Sequence, residues 1–357
     1  MQLDNTELRI LQLAGKYRWL SYDTLRSLGF ASQHGILNLL RKTGYLSLSN
    51  KKRYIKLAPQ GYELLRKYGH DYDPGAKRAS ASSSALRRRL EVTSVMLTAL
   101  RAGIDTLPDN VDALSGQPVF FPAFELRKGD SNLMNAASCV GFGHWGNSGY
   151  MLQYVSPDSC GMYLTNELGH LHNLASVFDP RLNAPLAMMF AGQSYTSLYE
   201  QLKATSPSPR HGKHGFSDYW DVYRKTDMPI HLLSCDEIGA MQLALMCRPE
   251  YNARIAKAAL GDDWTPRDDQ IPDADGCVGV KPLIIAADMD VRRVMRVCGA
   301  ARSLGRSEVM VAAFEAQIKG FYAEILPRDG YITLLSIEQP VLDEAFGGGF
   351  SLYSMEG

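Results

Sequence analysis

The sequence holds few of the signals that mark an enzyme or a secreted protein. Its six cysteines, Cys139, Cys160, Cys235, Cys247, Cys277 and Cys298, form no CxxC pair and no regular framework. That argues for reduced thiols in a cytoplasmic compartment and against a disulfide scaffold. A bilayer-spanning helix needs about 20 consecutive apolar residues, and runs such as "PLAMMFAG" are far shorter. The opening "MQLDNTELRI" lacks the basic-then-apolar order of a secretion signal. The expectation is a soluble, cytoplasmic protein with no membrane partner. The Gly-rich stretch "GFGHWGNSGY" lacks the Gly-Lys-Ser/Thr ending of a P-loop, and a turn between strands accounts for its glycines. There is no Gly-x-Ser-x-Gly elbow, no conspicuous Cys/His pair and no internal repeat.

Net charge is also absent, but only in the sum. The chain balances 38 Lys/Arg against 38 Asp/Glu over 357 residues. Met1 to Arg101 carries 18 basic against 7 acidic residues, a net of +11, and the remainder carries the opposite −11. A basic N-terminal third on an acidic body points to a polyanionic partner for the first part alone. The length exceeds one typical domain.

Three short helices are expected first. "NTELRILQLAGKYRW" carries Leu8, Ile10 and Leu11 near helical spacing, with Gly15 closing the run. "SYDTLRSLGF" has Ser21 as N-cap and Gly29 as its stop. "ASQHGILNLLRKTGYL" starts with Ser32 as N-cap and ends at Gly44. In this third helix Ile36, Leu39 and Leu40, extended by Leu37, form an apolar stripe. His34, Asn38 and Arg41 lie opposite, flanked by Gln33 and Lys42. "YLSLS" and "RYIKL" then read as a β-hairpin with Lys51, Lys52 and Arg53 at its tip, and Pro59 suits the first turn of a following helix.

That order of elements is the order of a winged helix-turn-helix domain. The third helix would enter the major groove, with Ser32, Gln33, His34 and Asn38 near its start and Arg41 and Lys42 further along. Asn and Gln can pair with adenine and Arg with guanine. Lys51, Lys52 and Arg53 would then lie against phosphates, where each neutralised phosphate releases a counterion. The bland alternative is a solvated hairpin tip on a protein-docking module.

"GHDYDPGAKRASASSS" reads as a linker. A helix, "ALRRRLEVTSVMLTALRAG", follows, and its Arg87, Arg88 and Arg89 would either extend the phosphate footprint or form a solvated basic face. Beyond Leu107 strand-like and helix-like runs alternate: "PLAMMFAG" before "SYTSLYEQLKA", "IHLLSC" before "DEIGAMQLALMC", "PLIIAAD" before "MDVRRVMRVCGAARSL", with "EVMVAAF" and "YITLLSI" as late strands. This rhythm favours an α/β layer with some parallel pairing. "TSPSPRHGKHGFSDYW" and "GDDWTPRDDQIPDADG" read as polar loops. The expected fold class is mixed α/β: a winged helix-turn-helix domain over 1–69, a linker over 70–84 and an α/β body over 85–357 for oligomerisation or partner binding.

The stretches "LQLAGKYRWLSYDTLRSLGF", "LNLLRKTGYL" and "RYIKLAPQGYELL" together resemble the N-terminal layout of the replication-relaxation proteins of plasmids and conjugative elements. The resemblance covers the N-terminal third by motif and the body by layout. It implies a DNA-binding accessory protein of a mobile element, with a body built as a degenerate nuclease-like α/β domain.

Four constellations bear on catalysis. Pro108-Asp109 followed by Glu125-Leu126-Arg127-Lys128 approaches a metal-dependent nuclease pattern, but Arg127 stands where a Lys is needed. Asp288 and Asp290 follow "PLIIAA" and could hold a metal, although Asp290 is also a good N-cap for "VRRVMRV". His170 and His172 with Cys160 fit no standard zinc spacing, and His211 and His214 lie in a basic loop. The Gly-rich stretch is the fourth. Catalytic residues, metals and cofactors are therefore expected to be none, which leaves an enzymatic role open but disfavoured. The expected function is sequence-selective binding of double-stranded DNA that regulates transcription, replication or transfer, with a homodimer or a protein partner on the acidic body. The alternatives are a metal-dependent nuclease or nicking enzyme, and an interaction scaffold.

Overall fold

The computed structural model describes residues 5–27, 34–49, 54–72, 83–107, 118–123, 139–156, 185–203, 226–266, 270–327 and 330–347. Over these the fold is mixed α/β with three sheets. Among the described residues no helix is long and apolar enough to cross a membrane.

Helix α1 (Asn5–Tyr17) buries Ile10, Leu11, Leu13, Ala14 and Tyr17. It does not stop at Gly15. A Cβ there would lie 2.6 Å from the Tyr72 ring, so the glycine seats Tyr72 rather than ending the helix. β1 (Leu20–Ser21) leads into α2 (Tyr22–Ser27), where the Ser21 hydroxyl accepts the Thr24 N–H at 3.1 Å, the expected cap. α3 (His34–Lys42) closes as expected at Gly44, whose φ is +79°. The N–H groups of Gly44 and Tyr45 return to the carbonyls of Arg41 and Leu40, the Schellman pattern. β2 (Leu46–Ser49) pairs antiparallel with β3 (Tyr54–Leu57), Leu48 opposite Ile55, and β1 pairs with the other edge of β3. α4 (Pro59–Lys67) carries Pro59 in its first turn.

Helix α5 (Ser83–Arg101) is buried on every side from Val92 to Ala99. Its buried Thr93 and Ser94 hydroxyls donate to the Leu90 carbonyl and that of Thr98 to the Ser94 carbonyl, so the polar groups on this stretch are satisfied within the helix itself. It packs on β1 and α2 at one side and on the first body sheet at the other. Thr24 Oγ1 meets Ser94 Oγ at 2.8 Å, and Tyr17 donates its hydroxyl to the Thr106 carbonyl at 2.7 Å. One apolar core therefore runs from α1 through α5 to Trp145 and Leu152.

That sheet has the order β4-β5-β6-β7-β8: β4 (Val119–Pro122), β5 (Cys139–Trp145), β6 (Ser148–Tyr154), β7 (Leu186–Gly192) and β8 (Ile230–Ser234). It is antiparallel up to β6 and parallel from β6 to β8. The Gly-rich stretch is mostly strand, with its turn confined to Gly146-Asn147. Gly143 admits the Trp145 ring and Gly141 the Phe120 ring. α6 (Tyr195–Lys203) follows β7, and α7 (Glu237–Met246) and α8 (Tyr251–Leu260) follow β8.

The third sheet has the order β13-β12-β11-β10-β9: β9 (Trp264–Thr265), β10 (Cys277–Val278), β11 (Lys281–Ile285), β12 (Val309–Ala313) and β13 (Ile332–Ser336). β11, β12 and β13 are parallel, as the strand–helix rhythm predicts, with α9 (Val291–Ser303) crossing from β11 to β12. α10 (Gln339–Phe346) packs on α8. The stretch from Gly261 is not a bare loop, since it contributes β9 and returns through Asp275 into the core of this unit. The two body sheets meet at a bridge between His231 and Asp290, with the Leu232 N–H on the Met289 carbonyl at 3.2 Å.

Candidate nucleic-acid interface

The third helix divides its residues by face. Leu40 is fully buried, while Ile36 and Leu37 are half-buried. Asn38, Arg41 and Lys42 stand in solvent. Leu39 differs from the expected stripe, because it is 42% exposed. At 3.6 residues per turn it lies about 100° round the helix from Leu40, on the side of Asn38 and Lys42. The β2–β3 hairpin flanks this helix, and a groove of about 170 Å³ between them is lined by Tyr22, Leu37, Asn38, Arg41, Leu48 and Ile55.

His34 is the first residue of α3, and its side chain lies outside the described residues, as do Ser32, Gln33, Lys51, Lys52 and Arg53. The structure thus brings Asn38, Arg41 and Lys42 together on one exposed surface beside the hairpin. Of the arginine triplet on α5, Arg87 is exposed, whereas Arg88 turns toward the sheet and donates to the Cys139 carbonyl at 3.4 Å. Asp109, Glu125, Arg127, Lys128, Cys160, His170, His172, His211 and His214 all lie outside the described residues. Among the described residues no three His, Cys, Asp or Glu side chains converge to hold a metal ion.

Asp288 and Asp290 are placed by the turn that ends β11. Asp290 caps α9, its carboxylate accepting the Arg293 N–H at 3.1 Å. Met289 between them has φ +56°, a left-handed backbone that is strained for a side chain of its size. Side chains from three directions hold this turn. Tyr322 donates to the Ala286 carbonyl at 3.2 Å, Gln317 to Ala287 at 2.9 Å and Gln242 to Asp288 at 2.8 Å.

The Arg293 guanidinium lies between two acids, 2.7 Å from Asp275 and 3.4 Å from Asp288, and also donates to the Ile285 carbonyl at 2.7 Å. Burial alone would raise the Asp288 carboxyl. Arg293 and His231 outweigh it, helped by the Asp290 N–H and the Tyr251 hydroxyl, and hold Asp288 below the usual carboxylate range. Burial dominates at Asp275 and pushes it up, with Arg293 and the Ile285 N–H pulling the other way. The same two acids raise Arg293 further. Sequence reasoning finds Asp288 and Asp290 but misses Asp275, which sits in a Pro- and Gly-rich run that looks solvated. It misses Gln242 and Gln317 too, because a lone Gln on an apolar helix carries no spacing signal.

No family model matches this chain, and no curated protein and no solved structure matches it.

Proposed function

We propose that the N-terminal elements form a winged helix-turn-helix domain that binds double-stranded DNA with sequence selectivity. α3 is the recognition helix and the β2–β3 hairpin is the wing. One observation carries the reading: Asn38, Leu39, Arg41 and Lys42 share an exposed face of α3, beside the hairpin of a three-stranded sheet ordered β1-β3-β2. A helix with such a face fits the major groove. Asn38 offers a paired donor and acceptor for adenine, Arg41 a fork for guanine and Leu39 an apolar surface for a thymine methyl. The charge asymmetry supports it, because the net +11 of Met1 to Arg101 suits a polyanion and the acidic remainder does not. The resemblance to replication-relaxation proteins assigns such binding to regulation of transcription, replication or transfer of a mobile element, with the body as the surface for a second copy or a protein partner.

The test is fluorescence anisotropy of labelled duplexes selected from a random pool, titrated with the full chain at several salt concentrations. Tight, salt-sensitive binding is expected. Changing Lys51, Lys52 and Arg53 together to Ala weakens binding to every duplex alike. It also lowers the salt slope by up to about 0.9 for each phosphate that is no longer neutralised. Absence of duplex binding leaves a scaffold role, and an unchanged slope removes the wing from the interface.

A further inference from the structure

The two body sheets have four outer edges, and among the described residues three of them are covered or cut short. β4 is bridged by Asp105, whose carbonyl takes the Phe120 N–H at 2.8 Å. β8 meets the β11–α9 turn, where the Leu232 N–H reaches the Met289 carbonyl. β9 is only two residues long. The fourth edge is β13, which pairs with β12 alone.

The ladder shows which backbone groups β13 leaves over. Val309 donates to the Tyr331 carbonyl and Ile337 to the Ala313 carbonyl, both at 2.9 Å. Tyr331, Thr333, Leu335 and Ile337 thus turn their backbone groups toward β12. Successive residues of a strand turn these groups to opposite sides. Ile332, Leu334 and Ser336 therefore turn theirs outward, where they have no partner among the described residues. Such a row is a template for another strand, and proteins blunt it with Lys, Pro, a bulge or an inward charge. The stretch "ITLLS" carries no such residue, and its register with β12 is unbroken. Ile332, Leu334 and Leu335 are only half-buried along it.

This edge is complementary to itself. Leu334 is its middle residue, with outward groups two residues to either side. A two-fold axis at Leu334 gives an antiparallel pair. Leu334 then exchanges both bonds with its own copy, and Ile332 does so with Ser336 of the second copy, so every outward group is met. Charge follows the same symmetry. The strand is uncharged. At its start the guanidinium of exposed Arg302 lies 4.7 Å over the Tyr331 ring. Beyond its end stands exposed Glu338, on extended backbone and with no side-chain cap bond. Glu308, also near the start, is engaged by Lys281 at 2.7 Å and by Thr333. An antiparallel copy brings Glu338 of each chain beside Tyr331 and Arg302 of the other, and the symmetry makes that contact twice. A copy running the same way would set like charges side by side.

We propose that β13 is the dimer surface of this protein: two copies pair antiparallel through Ile332–Ser336 about a two-fold axis at Leu334, joining their third sheets into one. It rests on the reading of the body as a surface for a second copy, and association measured without DNA holds or fails independently of duplex binding.

The experiment is sedimentation velocity of the full chain, free of DNA, from nanomolar to high-micromolar concentration. A reversible monomer–dimer equilibrium is expected, and a contact built on one strand pair belongs with the weak interfaces. Ser336→Pro removes an outward N–H and leaves the ladder to β12 intact, the edge position at which a strand tolerates proline. Two hydrogen bonds of the dimer are lost with it, which weakens association roughly tenfold or more. Glu338→Lys and Arg302→Glu each weaken it roughly fivefold, and the double variant restores it, because the pair returns with its signs exchanged. Melting temperatures check the folding of each variant. Should Ser336→Pro not fold, the charge reversals test the same edge. A chain that stays monomeric at every concentration leaves the edge to another occupant and overturns the proposal. So does a dimer unchanged by Ser336→Pro in folded protein, or a pair of charge reversals that do not compensate.

Discussion

On α3 of the N-terminal unit, Asn38, Arg41 and Lys42 stand in solvent, whereas at the sheet junction of the body Asp275, Asp288, Asp290 and Arg293 are buried or nearly so. The first group leaves its charge available and contributes little to the fold, since exposed charges are screened by water and salt. The second group is locked. Each acid has a named donor, and the turn that carries Asp288 has side-chain donors on its three carbonyls. An exposed charged surface and a buried charged cluster that fixes a turn are therefore separable by mutation.

The sharpest separation comes from Arg293→Ala. It leaves Asp275 and Asp288 without their cation in a buried site, and removing one partner of such a group costs about 3–5 kcal/mol. Urea denaturation followed by circular dichroism measures it. Arg41→Ala, by contrast, shifts stability by no more than about 0.5 kcal/mol. Comparable losses in the two variants would erase the distinction between the regions.

A second experiment asks how far the regions are mechanically distinct. Leu97 on α5 is fully buried in the core that spans both. Leu97→Ala is expected to cost about 2–5 kcal/mol and to lower the stability of both regions together. Tryptophan fluorescence from Trp19 in the N-terminal unit and Trp145 in the body, each isolated by replacing the other tryptophans with Phe, reports the two midpoints. Two separated transitions, with only one moved by the substitution, would show that α5 does not couple them.

The surface of α3 responds in the opposite sense. Asn38→Ala is expected to remove roughly 1–3 kcal/mol of discrimination at one base pair while stability and non-specific binding stay nearly unchanged. Anisotropy with the selected duplex and with single-position variants of it reads this directly. An equal loss on selected and random duplexes would show that this face does not read bases.

How legible these regions are in the sequence follows from how local their causes are. The Ser21 cap, the stop at Gly44, Pro59 in its first turn and the hairpin of β2 and β3 depend on neighbours a few residues away, so composition and spacing reveal them. The parallel strands of the body are visible as short apolar runs for the same reason. Gly15 misleads because its reason is Tyr72, remote in sequence. Leu39 misleads because a stripe counted by spacing does not say where the stripe ends. The Asp275–Arg293 pair, 18 residues apart, leaves no trace in the spacing. Nothing in "PDADG" distinguishes a solvated turn from one folded back under β11.

The smallest expected effect is on the acid limb of stability. The folded structure holds Asp288 below its ordinary range, because Arg293 and His231 outweigh burial. A carboxylate with a depressed folded value contributes stability that is fully present above its unfolded value, about 3.9, and is lost as pH falls through the folded value. Asp275 works in the other sense. Burial raises it, so its ionised form weakens the fold, and protonation as pH falls through its raised value relieves that penalty. The two shifts oppose one another, and they act in different windows: Asp275 above the ordinary carboxylate value, Asp288 below it. Thermal midpoints of the wild type should therefore hold or rise slightly as pH falls from 7 toward about pH 4, where only Asp275 is protonated, and fall below about pH 4 as the contribution of Asp288 is lost. Asp288→Asn is less stable than wild type at pH 7, lacks the steep lower limb, and converges on the wild type in strong acid. Curves that stay parallel across the whole range would mean that Asp288 gains nothing from Arg293 and that the buried group is held by its neutral hydrogen bonds alone.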